Sequence, residues 1–163
     1  MHPCTGYNFQ RNQSEVNVPW IWLPSSNNGN IPDHVVESGL EADLKLYVAR
    51  GKLDNIWIPG KFDGTSQKCY ISWKGKEHVV ANYEILIDPD DKRLRWIPSS
   101  QGLLVDKAVL GGVNEVGETF YIGRAWHNGA NIPGRIHPSH RVCYIPSGGK
   151  EQHYVTYQIL VSS

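Results

Sequence analysis

A chain of 163 residues is long enough to bury a substantial apolar core in one domain, without disulfide or metal staples. Its 16 Lys and Arg offset its 16 Asp and Glu, so no net field draws it to nucleic acid or to an anionic membrane surface. No apolar run is long enough to span a membrane, and residues 1–17 are polar where a secretory signal would be apolar. Cytoplasmic synthesis is therefore expected, with unconventional secretion as the route to any extracellular ligand.

In chain order, residues 1–21 form an N-terminal arm carrying Cys4, Tyr7, Phe9 and Trp20. Residues 33–38 could form only a short helical turn, and so could 106–110, because segments of this length are unstable as isolated helices. Residues 45–50 (KLYVAR) and 119–124 (TFYIGR) are β-branched and aromatic and read as strands, as do 69–73 and 143–145. The runs 78–87 and 153–161 read as the longest strand of each half. Pro59-Gly60, Asp63-Gly64, Asn128-Gly129, Pro133-Gly134 and Gly148-Gly149 punctuate the chain as strand connections. The segment 88–92 (DPDDK) reads as a hinge.

These elements occur twice. Residues 47–87 fall on 121–161 without a gap, a shift of 121 − 47 = 74 positions. Tyr47, Arg50, Ile58-Pro59-Gly60, Cys69-Tyr70-Ile71, Gly75-Lys76-Glu77, Tyr83 and Ile85-Leu86 recur as Tyr121, Arg124, Ile132-Pro133-Gly134, Cys143-Tyr144-Ile145, Gly149-Lys150-Glu151, Tyr157 and Ile159-Leu160. Trp22 and Pro24 recur as Trp96 and Pro98. A unit this long, present only twice, does not suit a solenoid. It implies an all-β, pseudo-symmetric domain of two tandem β-rich repeats packed on a shared core, with the arm at 1–21 and repeats at 22–88 and 89–163. Strands exchanged between the copies are compatible with so tight a link. Cys69 and Cys143 fall in strand contexts and read as buried free thiols.

The order Trp, Gly turn, Tyr-Val/Ile-x-Arg, Pro-Gly-Lys/Arg, Cys-Tyr-Ile, Gly-Lys-Glu, Tyr-x-Ile-Leu resembles the DM-nine repeat. This is a family of tandem β-rich units that also occurs in natterin-like proteins. The resemblance covers residues 22–161, and no pore-forming module accompanies it. It implies a lectin for mannose-type glycans, acting in microbial recognition, with one sugar site per repeat. Each site pairs an acidic residue with the basic residue of the Pro-Gly-Lys motif. Residue by residue, these fall on Glu41 and Lys61 in the first copy and on Asn114 and Arg135 in the second. Asp43 is an alternative to Glu41, because the first copy is one residue shorter before Tyr47.

A carboxylate beside a cation can accept from one sugar hydroxyl and donate to its neighbour, with no metal ion or other cofactor. Asn114 keeps the acceptor and loses the charge, and Arg differs from Lys in geometry, so the two sites need not be equal. Trp57 and Trp126 lie in the stretches leading to the basic residues and could supply an aromatic platform. Lys76-Glu77 and Lys150-Glu151 could either line the cleft or fix a turn by an ion pair, with Arg50 and Arg124 as partners of Glu77 and Glu151.

The chain has no nucleophile elbow, phosphate-binding loop or dinucleotide fingerprint, so an enzyme is not expected. His137 and His140 make an H-x-x-H pair that the first copy replaces with Asp63 and Ser66, so they read as loop histidines and not as metal ligands. A homodimer is expected, since weak sugar sites gain by multivalency. The alternative is an intracellular interaction protein that has the lectin fold and binds no sugar.

Overall fold

In the computed structural model, described for residues 19–25, 31–41, 43–91 and 93–163, the first half contains seven strands. They are β1 (Ile21–Ser25), β2 (Glu37–Glu41), β3 (Leu44–Leu53), β4 (Ile56–Asp63), β5 (Lys68–Trp73), β6 (Lys76–Val80) and β7 (Tyr83–Ile87). The second half repeats them as β8 (Leu94–Ser100), β9 (Leu110–Val113), β10 (Thr119–His127), β11 (Ala130–His137), β12 (Val142–Ser147), β13 (Lys150–Tyr154) and β14 (Thr156–Ser162). Most of the expected N-terminal arm, with Cys4, Tyr7 and Phe9, lies outside the described residues.

All strands belong to one antiparallel sheet, in the order β1-β7-β3-β4-β5-β6-β13-β12-β11-β10-β14-β8, with β2 on β3 and β9 on β10. The order is a palindrome of the repeat. Its centre is the β6–β13 junction, where Lys76 faces Lys150 and two reciprocal backbone bonds, Glu77 N to Gly149 O and Glu151 N to Gly75 O, span 3.2 and 3.1 Å. The sheet then curls so that β2 lies on β11 and β9 on β4, each half covering part of the other.

Alternation along β3 and β10 sends residues to two faces, and each face has its own core. One face of each half closes on itself, around Ile58, Ile71 and Ile85 in the first and Ile132, Ile145 and Ile159 in the second. The other faces meet in a shared cluster of Val48, Leu86, Val109, Ile122 and Leu160. Two residues cross over. Phe120 of the second half is buried in the first half's core, and Leu46, its counterpart, is buried in the second's. Cys69 and Cys143 are free and buried, and burial raises both thiol pKa values, that of Cys143 to about 12.

Three local expectations are corrected. The runs 78–87 and 153–161 are not single strands: the first breaks at Ala81-Asn82 and the second at Val155, so that β7 and β14 can return to pair with β3 and β10. Residues 33–38 and 106–110 form a turn, then a β-bridge at Val35 or Ala108, then a strand; among the described residues the helical turn is the 3-10 turn Pro138–His140. Pro59-Gly60 and Pro133-Gly134 lie inside β4 and β11, not in turns. Each proline sits where its strand is paired on one side only, so its missing N–H costs no ladder bond. Each glycine passes under the next strand: a Cβ on Gly60 would lie 2.2 Å from the Tyr70 carbonyl oxygen, and one on Gly134 1.9 Å from that of Tyr144. Gly134→Ala is therefore expected to cost about 1–3 kcal/mol or more by overpacking against backbone, read as a lower urea midpoint at unchanged slope. Residues 89–91 of the DPDDK hinge turn, and Asp88 Oδ2 accepts from the N–H groups of Arg93 and Leu94, both at 3.1 Å, which fixes the entry to β8.

Candidate functional site

Arg135 lies on β11 between Ile122 of β10 and Tyr144 of β12, on the face turned toward the first half. Its side chain is buried. The Nη1 group donates to the Ser72 carbonyl at 2.5 Å and to Glu151 Oε2 at 2.9 Å, and Ser72 belongs to the first half. The guanidinium carbon is 4.8 Å from the Trp73 ring and 4.2 Å from the Tyr144 ring. Burial lowers the Arg135 pKa, and the Glu151 carboxylate opposes that shift. Glu151 also reaches across the junction: its Oε1 accepts from Gly75 N at 3.3 Å.

Around this ion pair opens a cavity of about 580 Å³ whose wall includes Trp73, Asn114, Glu118, His137, His140 and Tyr144. Glu115 and Glu118 add two more carboxylates to the wall, and Glu118 accepts from His137 Nε2 at 2.6 Å and from the Ser139 hydroxyl at 2.7 Å. The His137 and His140 rings are stacked at 3.5 Å, and His140 Nδ1 is 2.9 Å from the Tyr144 hydroxyl. Three buried polar atoms with no protein hydrogen-bond partner, Trp73 Nε1, Arg135 Nε and His137 Nδ1, all belong to residues of this wall. Each such group costs about 1–3 kcal/mol while unsatisfied, and the gathering of three residues that carry one in a single wall marks this cavity as the candidate site.

The His137 pKa is lowered, first by burial, then by His140, with Glu118 opposing and Arg135 reinforcing. The proton therefore binds the unfolded chain more readily than the folded one. His137 contributes stability that is present above its ordinary pKa of 6.5 and lost as pH falls through its lower folded value. Urea unfolding at pH 7.5 and 5.5 should show a drop in stability that shrinks in His137→Gln. An equal drop in both proteins would assign it to other groups.

The positions implied by the resemblance are placed as follows. Arg135 and Asn114 meet in the cavity, but Asn114 Oδ1 accepts from Val116 N and Glu118 N and so holds its own loop. Lys61 is buried on β4, 3.5 Å from Glu77 and 5.5 Å from the centre of the Tyr70 ring. Glu41 is on β2, with its side chain outside the described residues, and Asp43 is exposed at the β2–β3 turn with φ of 67°. The two Gly-Lys-Glu motifs fix the central junction, and Lys76 and Lys150 point to solvent while Glu77 and Glu151 pair with Lys61 and Arg135.

Arg50 and Arg124 do not partner those glutamates. Arg50 pairs with Glu84 at 2.7 Å and donates to Gly111 O, while Arg124 donates to Gln158 Oε1 and to Ser38 O, each arginine thus reaching the opposite half. The register explains this: Glu84 and Gln158 stand directly opposite the arginines on β7 and β14. Neither Trp57 nor Trp126 walls the Arg135 cavity. Trp57 stacks with Arg50, and Trp126, 65% exposed, lines a separate groove with Arg124 and Asn131. Tyr144 was within reach of sequence reasoning, since it is repeated and lies across from the basic residue. Trp73 and Glu118 were not, because no local pattern shows which strands meet at the curl.

Among the described residues, no helix is long and apolar enough to cross a membrane. The profile of the DM9 repeat matches residues 41–154. Natterin-3 of Thalassophryne nattereri is 27% identical over 97 residues, which span 59% of this chain and 24% of that protein. The crystal structure of the nematode sperm cell motility protein MFP2B is similar with a TM-score of 0.59 at 15% identity, over 99% of this chain and 52% of that one, a likeness of fold alone. This chain thus spans about a quarter of the first protein and about half of the second. With the profile running from β2 to the end of β13, through both halves of the sheet, the chain belongs to the DM9 repeat family.

Proposed function

We propose that this protein is a non-enzymatic lectin for mannose-type glycans, with one site per half, acting as a homodimer in microbial recognition. The observation that carries this is the composition of the Arg135 cavity. Its buried cation is matched internally, Arg135 by Glu151, and the rest of the lining carries both signs of charge, with the exposed Lys74 beside Glu115 and Glu118. What the wall offers is a mixture of hydrogen-bond donors and acceptors beside aromatic rings. A neutral polyol suits that mixture: neighbouring hydroxyls donate and accept at once, and the C–H face of a sugar ring packs on apolar surface. Family membership supports the same reading, and Lys61 with Glu77 forms the corresponding pair in the first half. No metal ion enters this chemistry.

Calorimetric titration with mannose and with galactose, each with and without a chelator, tests the proposal. Chelator-insensitive heat from mannose alone is the expected result. Silence toward both monosaccharides and toward a mannose-rich oligosaccharide would favour an interaction protein that keeps the fold and binds no sugar. Light scattering after size exclusion tests the dimer, and a monomer at micromolar concentration and above would exclude it.

A further inference from the structure

One arginine of the repeat keeps its counter-ion in the first half and loses it in the second. Arg50 and Arg124 occupy equivalent places on β3 and β10, packed on equivalent rings, Trp22 at 4.4 Å and Trp96 at 4.6 Å, and each donates to a carbonyl of the opposite half. Arg50 is closed off: Glu84 accepts from its Nε at 3.0 Å and its Nη2 at 2.7 Å, and a second ring, Trp57, lies 5.0 Å away. Under the shift of 74 positions Glu84 falls on Gln158 and Trp57 on Asn131. Arg124 therefore donates to neutral acceptors, Gln158 Oε1 at 2.6 Å and Ser38 O at 2.7 Å, and among the described residues no carboxylate pairs with it. Burial lowers the pKa of both arginines, and at Arg50 the Glu84 carboxylate opposes the shift. Beside Arg124 runs a groove of about 370 Å³. Trp126 borders it, two residues along β10 and so on the same face, 65% exposed, with Asn131 opposite on β11 and exposed Thr156 on β14. In the first half Lys52 stands where Trp126 does, its ammonium 5.7 Å from the Trp57 ring. One half holds a neutralised cluster, the other a bare cation beside an open indole.

We propose that this groove is a further ligand site, separate from the Arg135 cavity, and that it takes an acidic sugar: the carboxylate seats on Arg124 beside Gln158, where the first half has Glu84, and the sugar ring lies on Trp126. A guanidinium stays charged when half-buried, and its planar fork matches a carboxylate, so an anion from outside supplies what the fold has left out. The Asn131 amide and the Thr156 hydroxyl both donate and accept, as the hydroxyls of a sugar require, and the exposed indole suits its C–H face. A peptide carboxylate fits less well. The groove lies over strands paired on both sides, β10 between β11 and β14 and β14 between β10 and β8, so a peptide backbone finds no strand edge to join there.

The test titrates the ¹⁵N-labelled protein with methyl β-glucuronide and with methyl β-glucoside, which lacks the carboxylate, and follows the Trp126 indole N–H resonance. The glucuronide should move that resonance and bind at least about tenfold more tightly than the glucoside, and added salt should weaken it. Gln158→Glu gives Arg124 the internal partner that Arg50 already has, so it should weaken the glucuronide by about tenfold or more without lowering the urea midpoint. Trp126→Ala removes an exposed ring and should weaken it roughly threefold to tenfold, again with the fold intact. Equal affinity for the two glycosides, a Trp126 resonance that stays still, or glucuronide binding unchanged in either variant would each overturn the proposal. So would a short peptide with a free C-terminus that binds where the glucuronide does not. Mannose plays no part in these outcomes: silence toward mannose would sink the reading of the Arg135 cavity and leave this site standing, and silence toward the glucuronide would do the reverse.

Discussion

Arg135→Ala is expected to lower the unfolding free energy by about 3–5 kcal/mol, the cost of stranding one charge of a buried pair. Glu151 would keep one bond, from Gly75 N, and lose the cation that balances its charge at 2.9 Å. The Trp73 and Tyr144 rings would lose the group packed between them. The Ser72 carbonyl would lose its donor from the opposite half. Urea unfolding at pH 7.5 measures the loss, and the double variant Arg135→Met with Glu151→Gln should lose clearly less than the two single changes added together. A loss below about 1 kcal/mol would place the pair with solvated surface bridges, whose worth is of that size.

Phe120→Ala should cost about as much, roughly 3–5 kcal/mol for a fully buried ring. The location of the damage is what separates the two predictions. Phe120 belongs by sequence to the second half and by packing to the core of the first, where it lies among Ile58, Ile71 and Tyr83. It also meets the His137 ring at 4.9 Å and so supports the floor of the cavity. The variant should therefore unfold both halves together, in one transition reported equally by tryptophan fluorescence and by far-ultraviolet dichroism. Two separable transitions would mean that the halves are stable alone and that the exchange of Phe120 for Leu46 is incidental.

Much of this architecture can be read from the chain, and the parts that cannot share a cause. The repeat marks β3 and β10 as equivalent strands, and likewise β7 and β14, and alternation along each assigns its faces. The breaks at Ala81-Asn82 and Val155 are invisible because the runs on either side are uniformly rich in Val, Ile and Tyr, and a corner needs only a change of direction, not of composition. Pro59-Gly60 and Pro133-Gly134 read as turns for the opposite reason: their composition signals a break, while in the sheet they mark where a strand is paired on one side and crossed by another. The site is legible to the extent that it is local. Arg135 and Asn114 follow from the motif, Tyr144 from register, but Trp73 reaches the cavity from residues 62 positions earlier, 135 − 73, through a curl that no local pattern encodes.

The crossing of Leu46 and Phe120 bears on how such a chain arises. One unit by itself would leave its core unplugged and one face of its sheet without a cover. Two unlinked copies could satisfy each other by the same reciprocal exchange, as a symmetric pair whose survival depends on concentration. Joining them through the short DPDDK turn removes that dependence, since the second copy is always present. It also lifts a restriction, because the two copies of one gene product must change together, whereas the two halves of one chain can drift apart. Trp in one half and Ser in the other at positions 73 and 147 is the kind of difference that only the fused form permits.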